Sequence, residues 1–120
     1  MELNTIRYDL EERTLEFARK VRRLSRKLPC SLLITDDIRQ LLRSSGSIGA
    51  NYIEANNSLS RKDFRMRVKI CRKEAKESSY WMRLIEINDK SLEIEKAALL
   101  DESTQLTKIF GAILRNTKAE

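Results

Sequence analysis

Aligned basic side chains are the residues of this sequence whose type and spacing could do chemistry. One set steps by three and four residues, and it comprises Lys62, Arg65, Lys69, Arg72 and Lys76, with Lys73 beside them. Such steps place side chains on one face of a helix, where this set would extend for about 21 Å. Aligned Lys and Arg neutralise backbone phosphates without reading the base sequence. The pattern therefore predicts a surface for RNA or DNA.

A second basic stretch precedes the first along the chain, and six of the nine residues 19–27 are Lys or Arg. Its candidate phosphate-binding residues are Arg19, Arg22, Arg23 and Arg26. Over the whole chain, 24 basic against 18 acidic residues give a net charge of +6. Two other interpretations remain open: a solvated helix face, and a helix lying on a membrane surface, which needs a free apolar face. We expect the second stretch to assist the first in binding.

The residue types that most enzymes use are missing or badly spaced. The chain has no histidine, which excludes Ser-His-Asp systems, histidine bases and histidine-ligated metals. Cys30 and Cys71 lie 41 residues apart without a CxxC motif, so we expect free thiols, with one disulfide as the alternative. No two carboxylates have the spacing of a metal site or an acid–base pair. We therefore predict no enzymatic activity, no metal and no cofactor.

Long helices must position these side chains, because a chain of 120 residues with three glycines and one proline has few turns. Apolar residues at helical steps predict four helices, from Asp9 to Leu28, Thr35 to Ala55, Ser60 to Ile87 and Leu92 to Asn116. Asp9 with Glu12 forms a predicted capping box, and a break near Asp101 is an alternative within the last helix. Short turns between long helices predict an all-α, antiparallel up-down-up-down four-helix bundle, with residues 1–120 in a single domain.

Two glycines, Gly46 and Gly49, interrupt the second predicted helix within residues 44–51. Each costs about 1 kcal/mol relative to Ala in a helix interior, and close approach of a neighbouring helix would offset that cost. A loop in this stretch is the alternative. A phosphate-binding loop is excluded, because the motif GxxxxGK followed by Ser or Thr is missing and no strand precedes the stretch.

Targeting and membrane-spanning signals are missing from the sequence as given. Residues 1–8 lack the apolar core of a signal peptide, and no apolar run approaches about 18 residues. We therefore expect a cytoplasmic protein that does not enter a membrane.

An apolar strip lies off the main core face of the third helix and comprises Met66, Ile70, Trp81 and Leu84. One bundle core does not use this strip, so it predicts a self-association surface. Tyr80 and Trp81 could also stack on nucleic-acid bases, although packing in the core or between subunits is the simpler interpretation.

Six runs of the sequence occur together in one order along nearly the whole chain. They are Tyr8-Asp9-Leu10-Glu11-Glu12-Arg13-Thr14, residues 43–55 around Gly46-Ser47-Ile48-Gly49-Ala50-Asn51, residues 60–64, residues 69–78, Tyr80-Trp81 and Ile109-Phe110-Gly111. In these runs the sequence resembles the four-helix-bundle family of 23S rRNA-intervening-sequence proteins. The resemblance implies an antiparallel four-helix bundle that assembles as a ring-like homo-pentamer and carries no catalytic motif.

The resemblance also bears on polar residues and partners. It implies that Ser45, Asn51 and Glu54 pack between helices as polar groups, in agreement with the buried polar network that we expect where Glu54 lies near Asn51. Some relatives are accessory proteins of diversity-generating retroelements, in which a basic pentamer binds a reverse transcriptase and nucleic acid. The expected partners are therefore a second copy of the chain, RNA or DNA and, by family analogy, a reverse transcriptase.

Two functions remain after these observations. The first is a non-enzymatic homo-oligomer, a pentamer by the resemblance, that binds RNA or DNA weakly and without sequence preference. The second is a protein-interaction scaffold with no nucleic-acid role. A nuclease would need a metal site, and the sequence offers no ligand set for one.

Overall fold

Four helices and their connections make up the computed structural model, which describes the backbone of residues 2–117 and the side chains of residues 9–117. The helices are α1 (Glu2–Lys27), α2 (Leu32–Asn56), α3 (Arg61–Leu84) and α4 (Lys90–Thr117). No strand occurs within residues 2–117, so the prediction of an all-α fold is confirmed.

Contacts between neighbouring helices show whether these helices run parallel or antiparallel to each other. Lys27, at the end of α1, binds Glu95 near the start of α4 (Nζ–Oε1, 3.0 Å), whereas Arg13, earlier in α1, binds Glu102 further along α4 (Nε–Oε2, 2.6 Å). These two helices are therefore antiparallel. Contacts between α1 and α2, α2 and α3, and α3 and α4 run in the same opposed sense. The predicted up-down-up-down bundle is confirmed, with α1 packed on α2 and α4 and lying diagonally opposite α3.

Of the predicted helix starts at Asp9, Thr35 and Ser60, only the last is correct. Ser60 begins α3, because its Oγ accepts a hydrogen bond from the backbone N–H of Asp63 (3.1 Å). The prediction for α1 is wrong, since the helix begins at Glu2 and Asp9 lies inside it. The prediction for α2 is also wrong, because Ser31 caps that helix through the N–H of Ile34, four residues before Thr35. Several residues that can cap occur near each start, and local sequence does not rank them.

The other helix ends differ less from their predictions. The third helix ends at Leu84 rather than Ile87, and Ile87 is nevertheless buried in the connection. The fourth begins at Lys90, two residues early, where Asp89 Oδ1 accepts from the N–H of Leu92 (3.0 Å). It continues unbroken past Asp101.

The core is formed by the faces that the helical steps predict. Buried residues on these faces are Leu10, Thr14, Phe17, Val21, Leu24, Leu28, Leu41, Ser45, Ile48, Tyr52, Ala55, Val68, Cys71, Ala75, Ser78, Met82, Ile85, Leu99, Leu106 and Phe110. Other apolar residues on these faces, nearer the helix ends, are only partly buried, namely Ile34, Ile38, Phe64, Ile109 and Ile113. The rings of Tyr52 and Phe110 meet at 5.8 Å and link α2 to α4 across the core.

The glycine-rich stretch of α2 is helical, so the alternative of a loop is wrong. Gly49 permits the close approach that we expected. A Cβ at Gly49 would stand 2.9 Å from Thr14 Oγ1 and 3.3 Å from Thr14 Cβ, closer than ordinary packing allows. Gly46 differs, because a Cβ there would meet only Arg22 Nη2, at 3.5 Å.

The two cysteines are free thiols, as expected, with Cys30 exposed and Cys71 buried. Burial raises the pKa of the Cys71 thiol to about 12. Over residues 2–117, none of the four helices is long and apolar enough to cross a membrane.

Candidate nucleic-acid interface

The basic stripe of α3, which we define as Lys62, Arg65, Lys69, Arg72 and Lys76, lies along the outer side of the helix toward α4. All five except Arg65 are exposed. Four of them, Lys62, Lys69, Arg72 and Lys76, form no ion pair with any carboxylate in the described part of the chain. Their charges are therefore available to an external anion.

On α3, two predicted members of the interface have partners inside the protein. Arg65 donates through Nη1 to the carbonyl of Leu114 (2.5 Å) and to Thr117 Oγ1 (3.1 Å), and so binds the last turns of α4. A cation there is favoured, because carbonyl groups at the end of a helix carry partial negative charge. Lys73 Nζ lies 3.9 Å from Glu77 Oε2. Arg65 therefore anchors α4 to α3, and its assignment as a phosphate ligand stays a prediction.

A groove of about 320 Å³ runs along the stripe and reaches α4. Its walls are the side chains of Lys69, Arg72, Lys73, Lys76, Glu77 and Leu114. Arg72 crosses toward α4, where its Nε lies 3.5 Å from the position that a Cβ on Gly111 would occupy. Arg115 Nη1 lies 3.6 Å from that same position. Gly111 and Arg115 also belong to this surface and were not predicted, although a glycine four residues before an arginine in a long helix could have indicated them.

The basic residues of α1 form a separate surface. Arg19 and Arg23 both lie near Glu16, at 3.9 and 3.1 Å, and Arg22 donates to the carbonyl of Ala18 (3.2 Å) while lying over Gly46 of α2. Because α1 and α3 are diagonally opposite in the bundle, these residues cannot bind the same short segment of nucleic acid as the α3 stripe within one chain. The expected assistance of α1 to α3 therefore does not extend to one short segment bound on a single chain, and it otherwise stays a prediction.

The apolar strip lies on the side of α3 that faces α2. Glu77 belongs to the same helical line, and it accepts from Arg43 of α2 (Oε1–Nη2, 2.7 Å). The strip itself is only partly covered, since Met66 is 52% and Leu84 46% exposed, whereas Ile70 and Trp81 are half-buried. Trp81 Nε1 is buried and has no hydrogen-bond partner within the described residues, and the Trp81 ring makes an edge contact with Tyr80 (5.1 Å).

Ser45, Asn51 and Glu54, for which the family resemblance implies packing between helices, have different surroundings. Ser45 is buried and donates to the carbonyl of Leu42 within its own helix (3.3 Å). Asn51 does join two helices, because its Oδ1 accepts from Arg67 Nη1 of α3 (3.0 Å). Glu54 is exposed, so the expectation of a buried network at this residue is wrong.

Other polar contacts that join α2 to α3 were not predicted from the sequence. Ser44 and Ser78 bring their hydroxyl oxygens to 3.0 Å. Arg43 binds the buried carboxylate of Glu74 (3.3 Å) as well as Glu77, and the hydrogen bond that it donates to Glu74 raises the pKa of Arg43. Glu74 Oε1 has no further partner among the described atoms. The sequence alone does not distinguish Glu74 from a carboxylate that is exposed to solvent.

A second groove, of about 450 Å³, lies between α1 and α4. Phe17 and Leu99 contribute to its floor, and its rim includes Glu12, Asp101 and the Arg13–Glu102 ion pair. No group of three carboxylate or thiol side chains able to hold a metal ion occurs among residues 9–117.

Comparison with known proteins identifies the family. The sequence profile of the 23S rRNA-intervening sequence proteins matches residues 7–112. The chain belongs to this family. A crystal structure of a protein of unknown function from the S23 ribosomal protein family of Bacteroides thetaiotaomicron VPI-5482 is 30% identical and superimposes with a TM-score of 0.74. The alignment covers 87% of this chain and 96% of that one. No functionally curated protein matches the chain significantly.

Proposed function

We propose that this family member is a non-enzymatic homo-oligomer that binds RNA or DNA weakly and without sequence preference along the α3 side of the bundle. The observation that carries the proposal is the row of Lys62, Lys69, Arg72 and Lys76, which are exposed and unpaired within the described residues. Cations without internal partners gain most from an external polyanion, because binding neutralises them and releases counterions from the nucleic acid.

Salt dependence follows from the number of these cations. With Arg115 of α4 added, five cations face the same side of the α3–α4 pair. Five phosphate contacts to a single strand predict a slope of about −3.5 for the logarithm of affinity against that of salt concentration. Raising the salt from 50 to 200 mM should then lower the affinity about 100-fold. Base-specific contacts are not needed, so RNA sequences of equal length should bind alike.

Self-association would multiply this charge. We propose that the strip of Met66, Ile70, Trp81 and Leu84 contacts a second copy, since two of its four side chains are about half exposed in the single chain. The family resemblance implies a pentamer, in which five chains of net charge +6 carry about +30. Light scattering should give a multiple of 14.0 kDa, and Met66→Asp with Leu84→Asp should reduce it. A wild-type monomer would contradict this part of the proposal.

Charge reversal tests which surface binds. Replacing Lys69, Arg72 and Lys76 with Glu removes three contacts and should lower affinity for a single-stranded RNA more than tenfold at 50 mM salt. The matched control replaces Lys20, Arg23 and Arg26 of α1 with Glu, which changes the net charge equally on the opposite corner of the bundle. The control should retain binding to within about threefold. Equal losses would show that affinity follows net charge, and binding would then not reside on α3.

A protein-interaction scaffold is the second candidate, and the partly exposed strip beside the Arg43–Glu77 pair favours it. A scaffold would bind a protein partner through apolar contacts, with α3 cations serving solubility. A reverse transcriptase remains a predicted partner by family analogy alone. Failure of the wild-type chain to bind any RNA or DNA at 50 mM salt would favour the scaffold.

A further inference from the structure

Two guanidinium groups from different helices meet above a glycine on the α3–α4 side. Arg72 Nε lies 3.5 Å, and Arg115 Nη1 3.6 Å, from the point that a Cβ on Gly111 would occupy, so these two nitrogens are at most about 7 Å apart. Neither arginine pairs with a carboxylate among the described residues. Glu77 is the one acidic side chain lining the adjacent groove, and it is already bound by Arg43 and Lys73.

Like charges at this distance repel each other, and the repulsion is relieved when an anion stands between them. Arginine is suited to that role, because its planar fork of N–H donors matches the oxygens of a phosphate group. Lys69 and Lys76 line the neighbouring groove with exposed ammonium groups. Arg72 and Arg115 could thus both bind one phosphate group, with the ammonium groups of Lys69 and Lys76 nearby.

We infer that the α3–α4 groove contains a discrete site for one phosphate oxyanion, held between Arg72 and Arg115 above Gly111. The inference rests on the proposed function, and it assigns to the nucleic-acid surface a fixed contact point rather than a diffuse field. The ligand class is the phosphate group of a polynucleotide backbone.

Gly111 supports this assignment. Glycine is among the least favourable residues in a helix interior, and this one lies well inside α4. A Cβ there would meet its neighbours at 3.5 to 4.0 Å, which is ordinary contact, so steric crowding between the helices does not require a glycine. Any side chain longer than that of Ala would fill the space between the two guanidinium groups. The bare surface at Gly111 therefore keeps the site open.

Inorganic pyrophosphate is the probe that isolates the site from the rest of the nucleic-acid surface. We expect calorimetry at low salt to show one saturable pyrophosphate site per chain. Replacing Arg72 and Arg115 with Gln should weaken binding at least tenfold. The matched control replaces Arg83 and Lys90 with Gln, which removes the same charge at the other end of the α3–α4 pair and should change affinity less than twofold.

Substitutions of Gly111 test the geometry without changing the charge. Gly111→Leu should weaken pyrophosphate binding at least tenfold, whereas Gly111→Ala should stay within twofold of wild type. Circular dichroism and light scattering should confirm that each variant is folded and assembled as wild type. Three results would each overturn the inference: pyrophosphate binding that the Arg72 and Arg115 pair and the control pair weaken equally, binding that Gly111→Leu does not change, or binding that does not saturate.

RNA binding by the same variants separates this inference from the proposed function. If RNA still binds along α3 and Gly111→Leu binds both RNA and pyrophosphate as wild type does, the discrete site is wrong and the proposed function stands. If pyrophosphate binds at Arg72 and Arg115 but RNA and DNA do not bind, the site stands and the proposed function fails.

Discussion

A single methyl group should have opposite effects at two glycines three residues apart in α2. Gly49→Ala would place a Cβ 2.9 Å from Thr14 Oγ1 and 3.3 Å from Thr14 Cβ. Thr14 cannot move away easily, because it is buried and its hydroxyl donates to the carbonyl of Leu10 (2.7 Å). Overpacking of this kind costs about 1 to 3 kcal/mol, against a gain of about 1 kcal/mol from replacing glycine in a helix. We expect Gly49→Ala to lower the free energy of unfolding by about 1 kcal/mol.

Gly46→Ala is the matched control. Its Cβ would meet only the flexible end of Arg22, at 3.5 Å, so the helix-propensity gain of about 1 kcal/mol should be realised. The two variants should therefore differ by about 2 kcal/mol, or roughly 1 M in the midpoint of urea unfolding at one protein concentration. Thr14→Ala should restore stability to Gly49→Ala in a double-mutant cycle. Equal stability of the two single variants would refute the close approach of α1 to α2 at this point.

Three further predictions concern the α2–α3 contact, the cysteines and one helix start. Arg43→Met should destabilise the fold by about 2 kcal/mol in urea unfolding, because it leaves the carboxylate of Glu74 (7% exposed) without its cation, and Glu74→Met in addition should recover most of the loss. Near pH 8 a thiol reagent should modify Cys30 quickly and Cys71 only after unfolding, because burial raises the pKa of Cys71 to about 12; rapid reaction of both thiols would contradict the core packing. The backbone N–H of Leu92 and the hydroxyl of Ser91 donate hydrogen bonds to Asp89 and lower its pKa. The contribution of Asp89 to the free energy of unfolding is therefore full above the unfolded pKa of 3.8 and is lost as the pH falls through the lower folded value. Asp89→Asn should flatten that part of an acid-unfolding profile.

The core was predictable because apolar residues at helical spacing form the stripe of each helix that is buried. Leu10, Phe17 and Leu24 step by seven along α1, and such a stripe has only one way to face a bundle interior. Helix starts carry less information, since Ser31, Thr35 and Asp36 can all cap, and the choice of Ser31 depends on where the preceding turn leaves the chain. The buried face of each helix was therefore predicted correctly, although the predicted starts of α1 and α2 were wrong.

The surface was predictable only within one helix at a time. Spacing placed Lys69, Arg72 and Lys76 on one face, but it could not indicate which neighbour that face adjoins. The meeting of Arg72 with Arg115 above Gly111 depends on the packing order of the helices and on their relative shift, which no local pattern encodes. The same order places α1 diagonally opposite α3 and so divides the two basic stretches that appear equivalent in the sequence.

Phosphate binding along α3 underlies the proposed function, and the salt dependence of RNA binding tests it directly. Fluorescence anisotropy of a labelled single-stranded RNA should give an affinity that falls about 100-fold between 50 and 200 mM salt, for RNAs of unrelated sequence alike. The variant with Glu at residues 69, 72 and 76 should show a much shallower slope, and the α1 variant with Glu at residues 20, 23 and 26 should keep the wild-type slope. An affinity that is independent of salt, or a slope that the two variants reduce equally, would contradict phosphate binding along α3.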